Sequence, residues 1–214
     1  MTVVMLVDYM TMIIYHVKHR FMEECMRVSR EQAERNRAHV IDTAARLFRE
    51  KGYSGIGVAD LMKEAGLTHG GFYGNFASKE ELLGAACAHA FDAAIARWGA
   101  LLASDPETAL AQIVAQYLSR RHVAHPGQGC AVAALGGELA RLSDPVRALT
   151  SAGVRAQIDL LTPLMAGATE QEQRRAAMAA YAGMVGALVV ARAVDDAALG
   201  DAIMGAVQAR ITNG

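Results

Sequence analysis

The stretch from Val58 to Lys79, VADLMKEAGLTHGGFYGNFASK, constrains the fold more than any other part of the chain. Its first half repeats apolar residues at helical spacing, which predicts a helix with one apolar face: Val58, Leu61, Met62 and Ala65. Gly66 then supplies a residue that tolerates the left-handed conformation in which helices often end. Thr68 can cap a second helix, which we expect from His69 to about Phe76. The stretch therefore predicts two short helices joined by a tight turn.

The second of these helices is predicted to have two different faces. Phe72 and Phe76 are four residues apart, so they share one face and can anchor the helix to a core. The other face carries small, neutral or weakly basic residues: His69, Gly70, Tyr73, Gly74 and Asn75. No acidic residue occurs from Gly66 to Ser78. Such a surface suits a helix that approaches phosphate-rich DNA closely, as the second helix of a helix-turn-helix does.

The block from Val40 to Leu83 resembles the DNA-binding domain of the TetR family of bacterial transcription regulators. The segments that carry the resemblance are AARLFREKGY (44–53), VADLMKEAGLT (58–68), GFYGNF (71–76) and SKEELL (78–83). The resemblance implies an all-α fold, with a three-helix helix-turn-helix DNA-binding domain over residues 29–79. A helical ligand-binding and dimerisation domain would follow over residues 80–214. Residues 1–28 are expected to be an N-terminal extension, either disordered or read from a misplaced start codon. The alternative is an N-terminal helix that packs on a partner or adds contacts to DNA.

The resemblance also implies which residues contact DNA: Arg37, Thr68, His69, Gly70, Gly71, Tyr73, Asn75 and Lys79. Lys79 stands in the first turn of the helix that Ser78 and Glu81 are expected to cap. A cation is unfavourable there for the helix dipole, so a nearby phosphate would explain it. For Arg37, a solvated charged face is an equal alternative. The chain departs from the family pattern at Ile56 and Gly57, where many relatives carry Ser or Thr, and at His69, where Lys or Arg is common.

Charge does not by itself point to a nucleic-acid partner. The net charge of the whole chain is −1, and residues 29–80 hold eight Lys or Arg against seven Asp or Glu. A DNA-binding function must therefore depend on where the charges are placed. The three cysteines have no metal-ligand spacing and indicate a reducing compartment. Residues 1–28 lack the features of a signal peptide and, with Asp8, of a membrane span. We expect a bacterial cytoplasmic, nucleoid-associated protein that does not bind membranes.

Caps, prolines and glycines predict the remaining helices. After a helix over residues 30–51, we expect helices at 78–102, 106–123, 130–142, 144–165, 170–191 and 196–211, with Pro163 bending the fourth of these six. The HPGQG segment, 125–129, is the clearest loop. Residues 176–191 are uncharged, so that helix is predicted to be fully buried. It carries a face of small residues, Ala179, Gly183, Gly186 and Ala187, which serves either packing within the chain or a homodimeric four-helix bundle.

The family resemblance implies a cavity for a small-molecule effector of unknown identity in the C-terminal domain. The corresponding segments contain Trp98, Tyr117, His122, His125, Cys130, Met165, Met178, Tyr181 and Met184. This composition predicts a mainly apolar pocket with a few polar groups. Cys130 is expected to be a buried, inert thiol, with a thiol sensor as the alternative.

No known catalytic or cofactor motif is present, including G-x-S-x-G, a phosphate loop, H-E-x-x-H and C-x-x-C. We therefore expect neither an enzyme, nor a cofactor, nor a metal site. The function implied is that of a homodimeric repressor that binds near-palindromic operator DNA and is released by its effector. The alternative is a dimeric ligand-binding or interaction module whose DNA-binding domain, residues 29–79 (the head), is degenerate.

Overall fold

The structure, a computed structural model, describes residues 30–213. The predicted extension over residues 1–28 lies outside the described residues. Within 30–213 the regular secondary structure is helical and no strand occurs, as the sequence predicts. The first helix, α1, covers residues 30–51. Its residues 30–39 are exposed or partly exposed, and Val40 is its first buried residue.

The helix-turn-helix consists of α2, Val58–Glu64, and α3, Gly70–Tyr73. Gly52 (φ 78°) follows α1 and Gly66 (φ 68°) follows α2, and both have the left-handed backbone that glycine adopts without strain. The predicted helix end at Gly66 is therefore confirmed. The core beneath is formed by side chains that are at most 2% exposed: Leu47, Phe48, Leu61, Met62, Phe72 and Phe76.

The recognition helix α3 is shorter than predicted. The prediction that Thr68 caps it is wrong, because His69 occupies the cap position and makes no side-chain cap bond. Hydrogen bonds from the backbone N–H groups of Asn75 and Phe76 to the Phe72 carbonyl, both 2.9 Å long, continue the turn past the end of the helix. Three glycines in five residues explain the short helix, since each is unfavourable in a helix by about 1 kcal/mol relative to alanine.

The long helix α4, Lys79–Ser104, leads from the helix-turn-helix into the rest of the fold. The Ser78 hydroxyl accepts from the Glu81 N–H at 3.0 Å, and the Glu81 carboxylate accepts from the Ala77 N–H at 2.7 Å. The predicted cap is thus present, although Glu81 reaches one residue further back than in a standard capping box.

The single helix predicted over residues 106–123 is wrong. The chain forms α5, Ala109–Tyr117, and then α6, Arg120–Ala124. Leu118 lies outside helical space (φ −92°, ψ 61°), and the Ser119 hydroxyl caps α6 by accepting from the His122 N–H at 3.2 Å. A serine that caps its own backbone competes with helix continuation, which explains the break.

The loop after α6 is confirmed and holds a 3₁₀ turn, Pro126–Gln128. It leads into α7, Ala131–Leu139, and α8, Asp144–Leu161. A second 3₁₀ turn, Thr162–Leu164, follows α8 directly. Pro163 ends α8 instead of bending it, since proline cannot donate the backbone hydrogen bond that an α-helix requires.

The last two helices are α9, Glu170–Ala193, and α10, Ala197–Thr212. Both helices begin at a capped residue: Thr169 and Glu172 form a full capping box, and the Asp196 carboxylate accepts from the N–H groups of Ala198 and Leu199. By length and composition α9 could cross a membrane, but its buried side chains belong to the core that α4, α5, α8 and α10 share.

The prediction that residues 176–191 are fully buried is wrong. On α9, Met178 (44%), Val189 (42%) and Val190 (40%) are exposed, together with Ala179 and Gly186. The physical reason is that one side of α9 contacts the core while the other side has no packing partner within residues 41–213.

Candidate DNA-binding surface and ligand cavity

The exposed side of α3 is organised around Tyr73, which is 67% exposed. The Tyr73 ring makes edge-to-face contacts with the His69 ring, at a centroid distance of 5.7 Å, and with the Phe72 ring, at 5.2 Å. Because Phe72 is buried, the Tyr73 ring is held in one orientation by a core residue. A pre-oriented aromatic hydroxyl can contact a phosphate with little further ordering.

Gly70 and Gly71 form the start of α3. Neither has a left-handed backbone, and a Cβ placed on Gly70 would meet no atom within 4 Å. The fold therefore does not require glycine at position 70. A missing side chain at an exposed helix start instead permits close approach of another molecule's backbone.

The remaining residues that were predicted to contact DNA differ in their exposure to solvent. Thr68 is exposed, whereas Asn75 is partly buried and its amide donates to the Gly71 carbonyl at 2.8 Å. The Asn75 side chain is thus used within the head, although its oxygen remains an acceptor. Arg37 lies on an exposed part of α1 among residues 30–40.

Lys79 is only partly exposed and has contacts inside the protein. Its ammonium group donates to the Tyr53 carbonyl and lies 4.4 Å from the centroid of the Tyr53 ring. Burial lowers the pKa of Lys79, while the carboxylate of Glu138 acts in the opposite direction. These contacts explain a cation in the first turn of α4 without a phosphate. Two of its three N–H donors remain for DNA.

A cavity of about 890 Å³ lies behind the head, between α1, α4, α5, α8 and the segment from Ser119 to Ala131. Five of the residues predicted from the family resemblance line it: Trp98, Tyr117, His122, His125 and Cys130. The other four do not. Tyr181 and Met184 are buried in the core, Met165 packs against that core, and Met178 is exposed.

His122 is a structural part of the cavity wall. Its Nδ1 donates to the Tyr117 carbonyl at 2.7 Å, so Nε2 is the acceptor for the Cys130 N–H at 2.9 Å. Burial lowers the pKa of His122 to about 4, and nearby arginines act in the same direction. The imidazole is therefore neutral at pH 7 and both ring nitrogens are already bonded.

Cys130 is partly exposed on the cavity wall, so the prediction of a buried thiol is wrong for this residue. It is the residue before the first turn of α7 and has an extended backbone, and its side chain lines the cavity. Cys87 is the buried thiol, and burial raises its pKa to about 11.

The cavity is more cationic than the sequence predicts. Four arginines line it: Arg46, Arg49, Arg97 and Arg121. They come from α1, α4 and α6, so no local motif unites them. The i, i+3 spacing of Arg46 and Arg49 was a signal that they share a helix face, but the sequence does not show that this face meets a cavity.

Two sets of hydrogen bonds connect the cavity side of the fold to the head. Arg49 on α1 donates from Nε to the Gly127 carbonyl at 3.0 Å, and Gly127 belongs to the cavity wall. Glu138 on α7 accepts from the backbone N–H groups of Tyr53 (3.0 Å) and Ser54 (3.1 Å), just after α1. A change in the position of α7 or of the loop before it would therefore act on α1 and its following turn.

Comparisons with known proteins agree with this architecture. The profile of the family described as "Bacterial regulatory proteins, tetR family" matches residues 40–86. The transcriptional regulator AcrR of Shigella flexneri is 36% identical over 56 residues, which are 26% of each chain. The transcriptional repressor DhaR of Mycobacterium sp. (strain GP1) is 31% identical over 111 residues, 52% of this chain and 56% of the relative. The match thus spans about a quarter of AcrR and just over half of DhaR.

A solved structure extends the similarity to nearly the whole fold. The crystal structure of reduced Escherichia coli NemR has a TM-score of 0.70 and 25% identity, covering 83% of this chain and 95% of that chain. The family profile thus covers the helix-turn-helix segment, and the similarity to NemR extends into the helices that follow it. The matched segment, residues 40–86, is therefore a DNA-binding domain of the TetR family type.

The DNA-contact residues predicted from the resemblance lie on α1, on α3 with the turns before and after it, and at the start of α4. The structure brings His69 and Tyr73 into contact and gives Lys79 and Asn75 partners within the head. Among residues 30–213, no group of three or more His, Cys, Asp or Glu side chains could hold a metal ion.

Proposed function

We propose that this protein is a cytoplasmic transcriptional repressor of the TetR family that binds operator DNA as a homodimer and is released by a small molecule. We keep the division into a DNA-binding domain over residues 29–79 and a ligand-binding and dimerisation domain over 80–214. The observation that carries the proposal is the exposed face of α3. It displays Tyr73 on a buried aromatic support and a glycine, Gly70, that the fold itself does not require.

The names of the relatives support a repressor. DhaR and NemR are both named as transcriptional repressors, and their similarity to this chain extends beyond the head. They also favour a regulator over an enzyme. The degenerate-head alternative is not favoured, because the head has a complete core and a folded helix-turn-helix.

The dimer proposal depends on the outward face of α9 and α10. That face exposes Met178, Val189, Val190 and, on α10, Leu199, interspersed with small residues. Two such helices and their copies would form a four-helix bundle around a two-fold axis. The two α3 helices would then lie about 34–36 Å apart and read a near-palindromic site. We expect sedimentation at micromolar concentration to give a dimer, and a monomer would contradict the proposal.

Coupling would use the two hydrogen-bonded connections already described. A ligand that moves the loop at Gly127 would act on Arg49, and one that moves α7 would act on the turn at Tyr53 through Glu138. The ligand can release DNA only to the extent that it binds the non-binding arrangement of the heads more tightly.

The test starts with selection of duplexes from a random-sequence pool, followed by binding measurements on the selected site. Two variants then form a matched pair, Gly70→Ala and Gly99→Ala. Both glycines are helical, and a Cβ at either position meets no atom within 4 Å. Both variants should therefore fold, with a free energy of unfolding equal to or up to about 1 kcal/mol above that of the wild type.

Only Gly70→Ala should lose affinity for the selected duplex, by about tenfold, because its methyl group occupies space that the DNA needs. A pool that yields no enriched near-palindrome would support a degenerate head instead. Equal affinities for the two variants would remove Gly70 from the interface.

A further inference from the structure

We propose that the cavity behind the head binds an organic anion with an aromatic or otherwise apolar body. The acidic group, a carboxylate, sulfonate or phosphate ester, would face the arginines. This proposal names the chemical class of the effector, and it rests on the proposed function only for the claim that this ligand releases DNA.

The first observation is unbalanced positive charge. Asp42 is the one acidic residue among the described residues that line the cavity. Its Oδ1 already lies 3.3 Å from Nε2 of His89. Arg46 is paired with Glu50 at 3.0 Å. Within residues 30–213, the other three arginines, Arg49, Arg97 and Arg121, have no carboxylate within 4 Å. Arginine is suited to carboxylate and phosphate groups because its planar fork can donate two parallel hydrogen bonds.

The arginines also lie close enough to influence the same neighbour. Arg49 and Arg97 both contribute to lowering the pKa of His122, and Arg97 also lowers the pKa of Arg49, after burial as the largest cause. Like charges concentrated on one wall repel each other unless an anion is bound. A cationic ligand would add to this repulsion, so the wall selects for negative charge.

The second observation is an unused donor. Tyr117 lines the cavity and is only 5% exposed, yet its hydroxyl forms no hydrogen bond of normal geometry within the described residues. Burial raises the pKa of Tyr117, and the nearby Cys130 acts in the same direction, so the hydroxyl stays protonated. A buried donor without a partner destabilises the folded protein, because it has lost its hydrogen bonds to water. An acceptor oxygen of the ligand would satisfy it.

The third observation is an apolar part of the wall, on α4 and α5. Phe91 and Trp98 line the cavity beside small alanines of α4, and the Trp98 and Tyr117 rings lie 6.3 Å apart. The volume of about 890 Å³ falls within the range of cavities that hold drug-sized ligands, about 300–1,000 Å³. Aromatic side chains on one side and arginines on the other therefore match an amphipathic anion.

The test compares two fluorescent probes that share one aromatic skeleton. 8-Anilinonaphthalene-1-sulfonate carries a sulfonate, and N-phenyl-1-naphthylamine lacks it. We expect saturable binding of one sulfonate probe per chain, at least tenfold tighter than the neutral probe. Arg97→Gln and Arg121→Gln should each weaken sulfonate binding about tenfold and leave binding of the neutral probe unchanged. Arg155→Gln, on an exposed part of α8 outside the cavity, is the matched control.

A second variant separates binding from folding. Tyr117→Phe removes the unpartnered hydroxyl, so its melting temperature should equal or exceed that of the wild type while its sulfonate affinity falls at least threefold. Equal affinities of the wild type for the two probes would overturn the proposal. So would equal losses of sulfonate affinity in Arg97→Gln and Arg155→Gln. Displacement of the sulfonate by inorganic phosphate alone at similar concentration would overturn the apolar part of it.

Release of a selected duplex by the sulfonate is measured separately. Tight, arginine-dependent binding without release would contradict the effector-controlled repressor and leave the ligand class intact. Release by the neutral probe with equal affinity would contradict the ligand class and leave the regulatory function intact.

Discussion

The exposed face of α3 and the wall of the cavity differ in the way they are equipped to bind. The face of α3 has no Lys, Arg, Asp or Glu between Gly66 and Ser78, and its prominent group is the Tyr73 ring. The cavity wall holds four arginines against one aspartate. A protein of net charge −1 thus concentrates positive charge around its cavity and not on its recognition helix.

This difference shows that charge and shape are used for different purposes. DNA is a uniformly charged surface, so a recognition helix gains specificity from close approach and orientation, which small residues allow. A small ligand has one or two charged groups, so a few arginines in a partly enclosed space can select it. Four experiments test this difference between the two regions.

The largest effect is expected for Phe72→Ala. Phe72 is 1% exposed and supports both Tyr73 and Phe76, so the variant should lose about 3–5 kcal/mol of the stability of the head. Duplex binding should be lost while the sulfonate probe still binds the cavity. Tyr73→Ala, at the exposed neighbouring position, should change the melting temperature little. Loss of probe binding in Phe72→Ala would show that the two regions fold as one unit.

The next effect concerns pH and the cavity wall. Burial lowers the pKa of His122 to about 4, below its ordinary value of 6.5, so the unfolded chain binds a proton that the folded chain does not. The contribution of His122 to stability is thus complete above pH 6.5 and is lost as pH falls toward 4, by about 3 kcal/mol.

Chemical denaturation at several pH values checks this expectation. His122→Gln should flatten the dependence of unfolding free energy on pH between 6.5 and 4. His125→Gln, at an exposed neighbouring position, should keep the wild-type slope. Parallel curves for the wild type and His122→Gln would contradict the assignment of a buried neutral imidazole.

Glu138→Gln tests the connection between the two regions. One of the two N–H groups that the carboxylate binds would lose its acceptor, so stability should fall by about 1–2 kcal/mol. Probe affinity should stay unchanged, while the loss of duplex affinity that the ligand causes should become smaller. Glu107→Gln, at an exposed turn before α5, is the control. Unchanged release in Glu138→Gln would show that coupling does not use this contact.

The smallest effect is expected for Lys79→Ala. Loss of the contacts to Tyr53 should lower stability by about 1 kcal/mol. If the remaining donors of Lys79 bind a phosphate, the slope of log affinity against log salt should fall by about one unit. Lys79→Arg should retain the slope. A normal slope in Lys79→Ala would give this residue a role within the head alone.

Local signals predicted most of the fold. The cap at Ser78 and the helix end at Gly66 both depend on hydrogen bonds or backbone angles within a few residues, so they are visible in the sequence. The predictions failed where two local signals competed. Ser119 could continue a helix or cap the next one, and the surrounding packing selected the cap.

The cavity could be predicted only in part. Five of the predicted residues line the cavity: Trp98, Tyr117, His122, His125 and Cys130. The family resemblance identified them because it indicates which segments of the chain surround the cavity. Met165, Tyr181 and Met184 lie in equally plausible segments but face the core. The rotation of each helix about its axis decides which side of it lines a cavity, and that rotation depends on contacts with other helices.

By itself the sequence determined an all-helical chain, the helix-turn-helix with its buried Phe72 and Phe76, and most helix ends, because these follow from short-range periodicity and capping. Only the tertiary structure decided that arginines from α1, α4 and α6 converge on one cavity. It also decided that Lys79 has a partner within the head. Charges that are distant in sequence acquire a shared role only when packing places them within a few ångströms of each other, where their interaction is strong.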